Sequence, residues 1–482
     1  MRGGGLYLQA AMFQAVVGAG SPMAASIENC AAVDEGGGTF LTGTNSLIAD
    51  VFIAQGVAVR GGGVSVRDPI ASCELKNAVI TNCTVSDVGG GVFLGGSNGC
   101  TLRRTTVNDS VAGDSGGGIA VLDSSIRHDG LTVFYNRANT TTGGGLLIKC
   151  ASVPCAVIPA RSLGDVTTLT SSIHSNDVPA EMYGANVMVS CSRQCDLQGL
   201  RVTDAVIYGG LGAGIYITGK GKTRLNAMSI ENHSAMKGGG VFMTGGGSLE
   251  VANTAFVENA AIWSGGGLYV EGSGARQLPV TIKDSVFFRN TAPTSGGAMT
   301  LEFADLTSER LLAVENYLSM VDGLGGAFHA VEKTNGHVED ALFLQNYAER
   351  GGALCIAGDS VVTFEDSTLT NNAKEFEERW ATLFLQRVGK HWSASVTDGV
   401  EARRGGLAYL VGKDTILYLT ASKATYGHAE AGGAVFVDTG ALLYVSASKL
   451  LYNKANEAGG SIALSDEGET YIELSTVGYS GK

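Results

Sequence analysis

The stretch Ala255–Gly274, AFVENAAIWSGGGLYVEGSG, holds an Asn, a run of small and polar residues, three glycines and then Leu-Tyr-Val. Its wording returns as VITNCTVSDVGGGVFLGG from Val79, VFYNRANTTTGGGLLIKC from Val133 and LFLQNYAERGGALCIAG from Leu342. Glycine clusters open at Gly3, Gly36, Gly61, Gly89, Gly116 and Gly143, resume at Gly238, Gly265, Gly296, Gly325 and Gly351, and again at Gly405, Gly432 and Gly459. The commonest step is about 27 residues, a length that marks a repeat array. Weaker units open at Gly184 and Gly212, and RWATLFLQR from Arg379 reads as a degenerate coil over about 373–395, giving about 17 units in all. The extra residues between Gly143 and Gly184, about 150–180, read as an inserted loop.

After each glycine cluster the first and third residues are apolar: Val92 and Leu94, Val241 and Met243, Leu268 and Val270, Val435 and Val437. Alternation with period two marks a strand, and a second run in each unit, such as SLEVANTAF from Ser248, carries the same signal. A unit this short cannot bury its apolar face alone, but stacked copies can. The length and strand content predict an all-β, right-handed parallel β-helix (a solenoid of the pectin-lyase-like class) spanning 1–482 as one repeat domain. The glycines are expected at sharp corners, Gly266, Gly297 and Gly352 among them. The Asn residues, at Asn82, Asn136, Asn232, Asn259, Asn290, Asn316, Asn346 and Asn453, are expected at another corner, their amides stacked in a ladder.

Two motifs then stand out. GG-A-apolar occurs at Gly296, Gly325, Gly351 and Gly432, and F-x-x-N at Phe256–Asn259, Phe287–Asn290 and Phe343–Asn346, with conservative versions ending at Asn82, Asn136 and Asn453. The chain resembles in these the repeats of chlamydial polymorphic outer membrane proteins. That resemblance implies a surface-exposed β-helical passenger with an adhesive role. The chain departs from it in reading GGG in most units.

Glycine supplies 70 of 482 residues and the net charge is −13, from scattered Asp and Glu. No basic patch invites nucleic acid, and no apolar run reaches the ~18 residues of a membrane span. Nine cysteines are present. Cys73 and Cys100 share a phase in successive units, as do Cys150 with Cys191 and Cys155 with Cys195. Disulfides, buried free thiols and a metal site are all open readings; no His stands at ligand spacing, which favours disulfides and weighs against metal.

The pectin-lyase-like class also houses polysaccharide lyases and glycosidases, so a carbohydrate-active enzyme is the alternative function. Its chemistry needs carboxylates stacked one unit apart, and no Asp-Asp or Asn-Thr-Asp occurs. The densest acidic run, Glu375, Glu377 and Glu378 near His391 and Trp392, reads as a solvated loop, and His329 as a surface residue. No catalytic residue, metal or cofactor is expected. Asn139, in a polar loop, is the candidate glycosylation site. The middle residue of the post-glycine strand should point outward, and Tyr216, Phe242, Tyr269, Tyr409 and Phe436 there form a candidate binding stripe for a surface glycan or protein. A corner opens at residue 3 and the next after Gly459 would fall near 486. A longer parent chain is therefore expected, its end coils covered by neighbouring segments or subunits.

Overall fold

A computed structural model describes residues 2–9, 13–16, 25–42, 46–67, 73–96, 99–140, 142–160, 170–370, 402–465 and 467–478. It divides into two compact units, Met1–Ala235 and Met236–Lys482. Both are all-β, and the fold is a right-handed parallel β-helix.

In the first unit the post-glycine strands are Leu6–Gln9, Thr39–Thr42, Val64–Arg67, Val92–Gly95, Ile119–Leu122, Leu146–Cys150, Val187–Cys191 and Ile215–Gly219, each parallel to the next. In the second they are Val241–Thr244, Leu268–Glu271, Met299–Glu302, Phe328–Val331, Leu354–Ala357, Ala408–Val411, Val435–Asp438 and Ile462–Leu464. A second face follows, bent in the middle where the described residues are continuous. In one coil Ser248–Ala252 leads through Asn253, at φ 48°, into Ala255–Val257. A short third strand, such as Thr291–Ala292, completes the circuit.

The corners divide their work. The first glycine of a cluster takes positive φ (Gly265 at 66°, Gly296 at 55°, Gly351 at 67°), which side chains disfavour. Gly266, Gly297 and Gly352 do not. They are glycine because a Cβ would strike neighbouring backbone, 2.3 Å from the Thr291 carbonyl oxygen at Gly266 and 2.4 Å from those of Gly326 and Gly406 at the others. The third place admits Ala, as at Ala298, Ala327 and Ala353, and the second does so in the first unit, at Ala185 and Ala213.

The Asn corner is a buried ladder. Asn259 Nδ2 donates to Asn290 Oδ1 at 2.9 Å, Asn290 to Asn316 at 3.0 Å and Asn316 to Asn346 at 2.9 Å, and each backbone N–H donates to the same oxygen of the next coil. The second Nδ2 proton of Asn290 reaches the Phe256 carbonyl at 2.9 Å. Both donors and the acceptor are spent, which is what burial of an amide demands. In the first unit the column runs Cys83, Ser110, Asn136 and Asn176. Its next place holds Ala205, and Asn186, from a glycine-corner position, supplies the missing amide to Asn176 at 3.0 Å. Asn453 holds the corresponding corner beside Gly427.

Asn82 and Asn232 do not belong to this column. Both are exposed residues in the left-handed region, φ 52° and 56°, and the buried places go to Cys83 and His233. A second ladder, of hydroxyls, lines the bend: Ser367 N–H donates to Ser422 Oγ at 3.1 Å and Ser422 N–H to Ser448 Oγ at 3.0 Å. Phe256 and Phe287, from F-x-x-N, stack inside at 4.4 Å between ring centroids.

Part of the segment expected as a loop, about 150–180, is regular strand. Cys155–Pro159 and Ser171–His174 are regular strands, in register with Ile126–His128 and Thr132–Phe134. The degenerate coil expected over about 373–395, with its acidic run, lies outside the described residues. Leu354–Ala357 pairs with Ala408–Val411 in parallel register.

Candidate functional site

The aromatic stripe is where the phase put it, but it is not exposed. Tyr216 is 9 % exposed, Phe242 0 %, Tyr269 4 %, Tyr409 2 % and Phe436 6 %. Two contacts seal it. Rings in successive coils stack, Phe242 on Tyr269 at 5.5 Å and Tyr183 on Tyr216 at 4.7 Å. A cation just before the glycines of one coil then lies over the ring of the next: Arg2 over Phe40, Arg60 over Phe93, Lys237 over Tyr269, Arg350 over Tyr409 and Arg404 over Phe436, at 4.4 to 5.9 Å from the centroids.

The phenols are also engaged. Lys237 Nζ donates to the Tyr269 hydroxyl at 3.0 Å, and that hydroxyl donates to Glu302. Tyr409 donates to Asp438 at 2.8 Å, and Arg404 pairs with the same carboxylate at 2.9 Å. Burial, then the Asp438 carboxylate, pushes the Tyr409 phenol up to about 12. The stripe is therefore architecture. His329, in the same column, is buried too; neither ring nitrogen has a protein partner, and burial alone lowers its pKa to about 4.

An exposed apolar edge lies in the second unit. Ile262 and Trp263 stand on the third strand Ala260–Ser264, half-buried Pro293 follows the third strand of the next coil, and Tyr317 on Tyr317–Leu318 leads to Met320 and Val321. Trp263 is 58 % exposed and Val321 69 %. Their backbone is fixed. Thr294 donates to the Trp263 carbonyl from N–H at 3.1 Å and from Oγ1 at 2.7 Å, and Met320 N–H donates to the Pro293 carbonyl at 3.2 Å. Beneath lies a sealed layer of Ala261, Ala292, Leu318 and Ala348. Ion pairs flank it in sequence, Arg289 with Glu315 at 2.7 Å and Arg350 with Asp322 at 2.7 Å. The spacing of polar and small residues in AAIWS hid this face, because it breaks the period-two pattern of a half-buried strand.

The first unit carries a groove of about 540 Å³ lined by Arg60, Arg67, Asp87, Asp114 and Lys149 over Phe93 and Leu147. Arg60 holds Asp87 at 2.6 Å, and Arg67 pairs with the buried Glu35. Asp123, also at this groove, accepts the N–H groups of Ala151 and Ser152 at 2.7 and 2.8 Å. Burial would raise its pKa, but these backbone donors win and hold it low. A general acid for glycoside cleavage needs the opposite shift.

Cys73 and Cys100, in register, are joined by a disulfide between coils. Cys150 is joined to Cys155, while Cys191 and Cys195, their register partners, are free and buried. Asn139 is exposed beside Thr140.

The family model described as right handed beta helix region matches residues 14–158. No curated protein and no solved structure gave a match. The chain is thus similar in sequence to right-handed β-helix regions over that stretch, and it has their fold.

Proposed function

We propose that this chain is a structural or adhesive β-helix protein of the cell surface or extracellular space, and that it holds a protein partner through the exposed edge of its second unit. The observation that carries the reading is the group of exposed Ile262, Trp263, Tyr317, Met320 and Val321, from two coils on either side of the coil that carries half-buried Pro293. Large exposed apolar patches mark contact sites. Aromatic and Met side chains within a rim of charges have the anatomy of a protein interface rather than of a sugar cleft. The likeness of the GGA and F-x-x-N motifs to polymorphic outer membrane proteins supports a surface setting. In the test, the labelled chain is bound to intact cells before and after protease treatment. The reading expects protease-sensitive binding, weakened at least tenfold in Ile262→Ser/Trp263→Ser/Val321→Ser with an unchanged circular dichroism spectrum. Protease-resistant binding would point to a glycan, and equal binding by the triple variant would remove this face from the account.

The second reading, a carbohydrate-active enzyme, rests on the groove of the first unit. New reducing ends or unsaturated products from a panel of acidic and neutral polysaccharides, lost in Asp87→Asn or Asp114→Asn, would establish it.

A further inference from the structure

We propose that Cys150, Cys155, Cys191 and Cys195, when reduced, form a tetrathiolate site for one zinc-class divalent ion, and that closing the Cys150–Cys155 disulfide dismantles it. Two adjacent coils build the cluster. Cys150 stands in register with Cys191, and Cys155 with Cys195. The Sγ atoms of Cys150, Cys191 and Cys195 lie within 4.8 Å of one another, and Cys191 Sγ approaches Cys150 Sγ at 2.9 Å. Cys155 is covalently attached to the same sulfur. All four side chains are buried.

A tetrahedral zinc–thiolate site has Zn–S bonds of about 2.3 Å, hence sulfurs about 3.8 Å apart; the Sγ atoms of Cys150, Cys191 and Cys195 lie within about 1 Å of that spacing, and Cys155 joins them by parting from Cys150 on reduction. The chain offers Cys-x4-Cys and Cys-x3-Cys, two short chelating loops. The first loop is preset, because Asp123 of the preceding coil accepts its backbone N–H groups at Ala151 and Ser152. The following coil closes over the second with bare backbone: a Cβ on Gly219 would lie 2.2 Å from the Cys191 carbonyl oxygen. Exposed Arg193 and Lys220 on these turns offset the negative charge of a tetrathiolate. Cys73 and Cys100 make the contrast. There two sulfurs meet and bond; here three lie together, a fourth is bonded to one of them, and two stay free.

The chemistry balances. A dithiol reductant gives two electrons and two protons to the Cys150–Cys155 bond and leaves as its own cyclic disulfide. The entering ion replaces the four thiol protons, which pass to solvent. A disulfide oxidant takes two electrons from the Cys150 and Cys155 thiolates and, with two protons from solvent, leaves as thiols; their bond re-forms, and the ion departs as Cys191 and Cys195 each take a proton from solvent.

The experiment treats the full chain with a dithiol, removes the reductant without air and titrates Co²⁺ as the probe. One ion per chain is expected, with the strong visible bands of tetrahedral cobalt, a thiolate charge-transfer band and displacement by Zn²⁺. Cys191→Ser and Cys195→Ser should each weaken binding at least tenfold, and Cys355→Ser should not. Oxidation should then release the metal and return a Cys150–Cys155 cross-linked peptide. A weak octahedral spectrum, or unchanged binding in the Cys191→Ser/Cys195→Ser variant, would overturn the proposal. So would loss of the β-sheet spectrum on reduction that Zn²⁺ does not restore.

Discussion

Asn290 and Asn82 look alike in the sequence and differ in what they do. Asn290 donates through both amide protons and accepts from its neighbour in the ladder, whereas Asn82 is exposed and only occupies the left-handed region. Replacing Asn290 by Ala leaves buried groups unpaired and should cost ~1–3 kcal/mol; Asn82→Ala should cost well under that. Urea midpoints check the pair, and equal shifts would remove the ladder's energetic role. The sequence shows an Asn near every corner but not its offset. In Val79–Asn82 the chain reaches the buried place one residue later, at Cys83, and only the paired strands show it. Gly266→Ala should be costlier than Gly267→Ala, since a Cβ would stand 2.3 Å from a backbone oxygen at the first and 2.7 Å at the second. His329 gives a pH signature. Its folded pKa, lowered to about 4, lies below the ordinary 6.5, so the unfolded chain takes up the proton first. Its contribution is complete above pH 6.5 and is lost as pH falls through 4. His329→Leu should flatten the fall of the thermal midpoint between those values, and an unchanged slope would contradict the burial of a neutral ring.

At the scale of the strand, period two located the aromatic column but could not tell cover from exposure. A middle residue points away from the core, and what lies over it comes from the preceding coil. The signal was nonetheless in the chain: each of Arg2, Arg60, Lys237, Arg350 and Arg404 precedes a glycine cluster, and the coil stacked next carries an aromatic in the strand. Reading coils in pairs reveals it, where reading them singly does not. Arg404→Gln should therefore destabilise the second unit by ~1–3 kcal/mol, because Asp438 stays buried without its cation, beside the Tyr409 and Thr439 hydroxyls. A double-mutant cycle with Asp438→Asn checks this: coupling near zero would make the pair incidental.

For the molecule, the repeat step in the sequence carries the fold class, because each coil is buried only by its neighbours. The edge carrying Trp263 was not readable. Its residues come from three coils, Ile262 and Trp263 from one, Pro293 from the next and Tyr317, Met320 and Val321 from a third, and no single unit shows the patch. The sulfur cluster was half readable: the matched phases of Cys150 with Cys191 and Cys155 with Cys195 were visible, their convergence was not. The measurement that bears most directly on the functional account is hydroxyl-radical footprinting of the chain, free and bound to cells. The account predicts that Trp263, Tyr317 and Met320 are oxidised in the free chain and protected when bound, while Tyr269 and Phe242 are protected in both. Trp263 oxidised equally in both states, or Tyr269 oxidised as fast as Trp263 in the free chain, would contradict it.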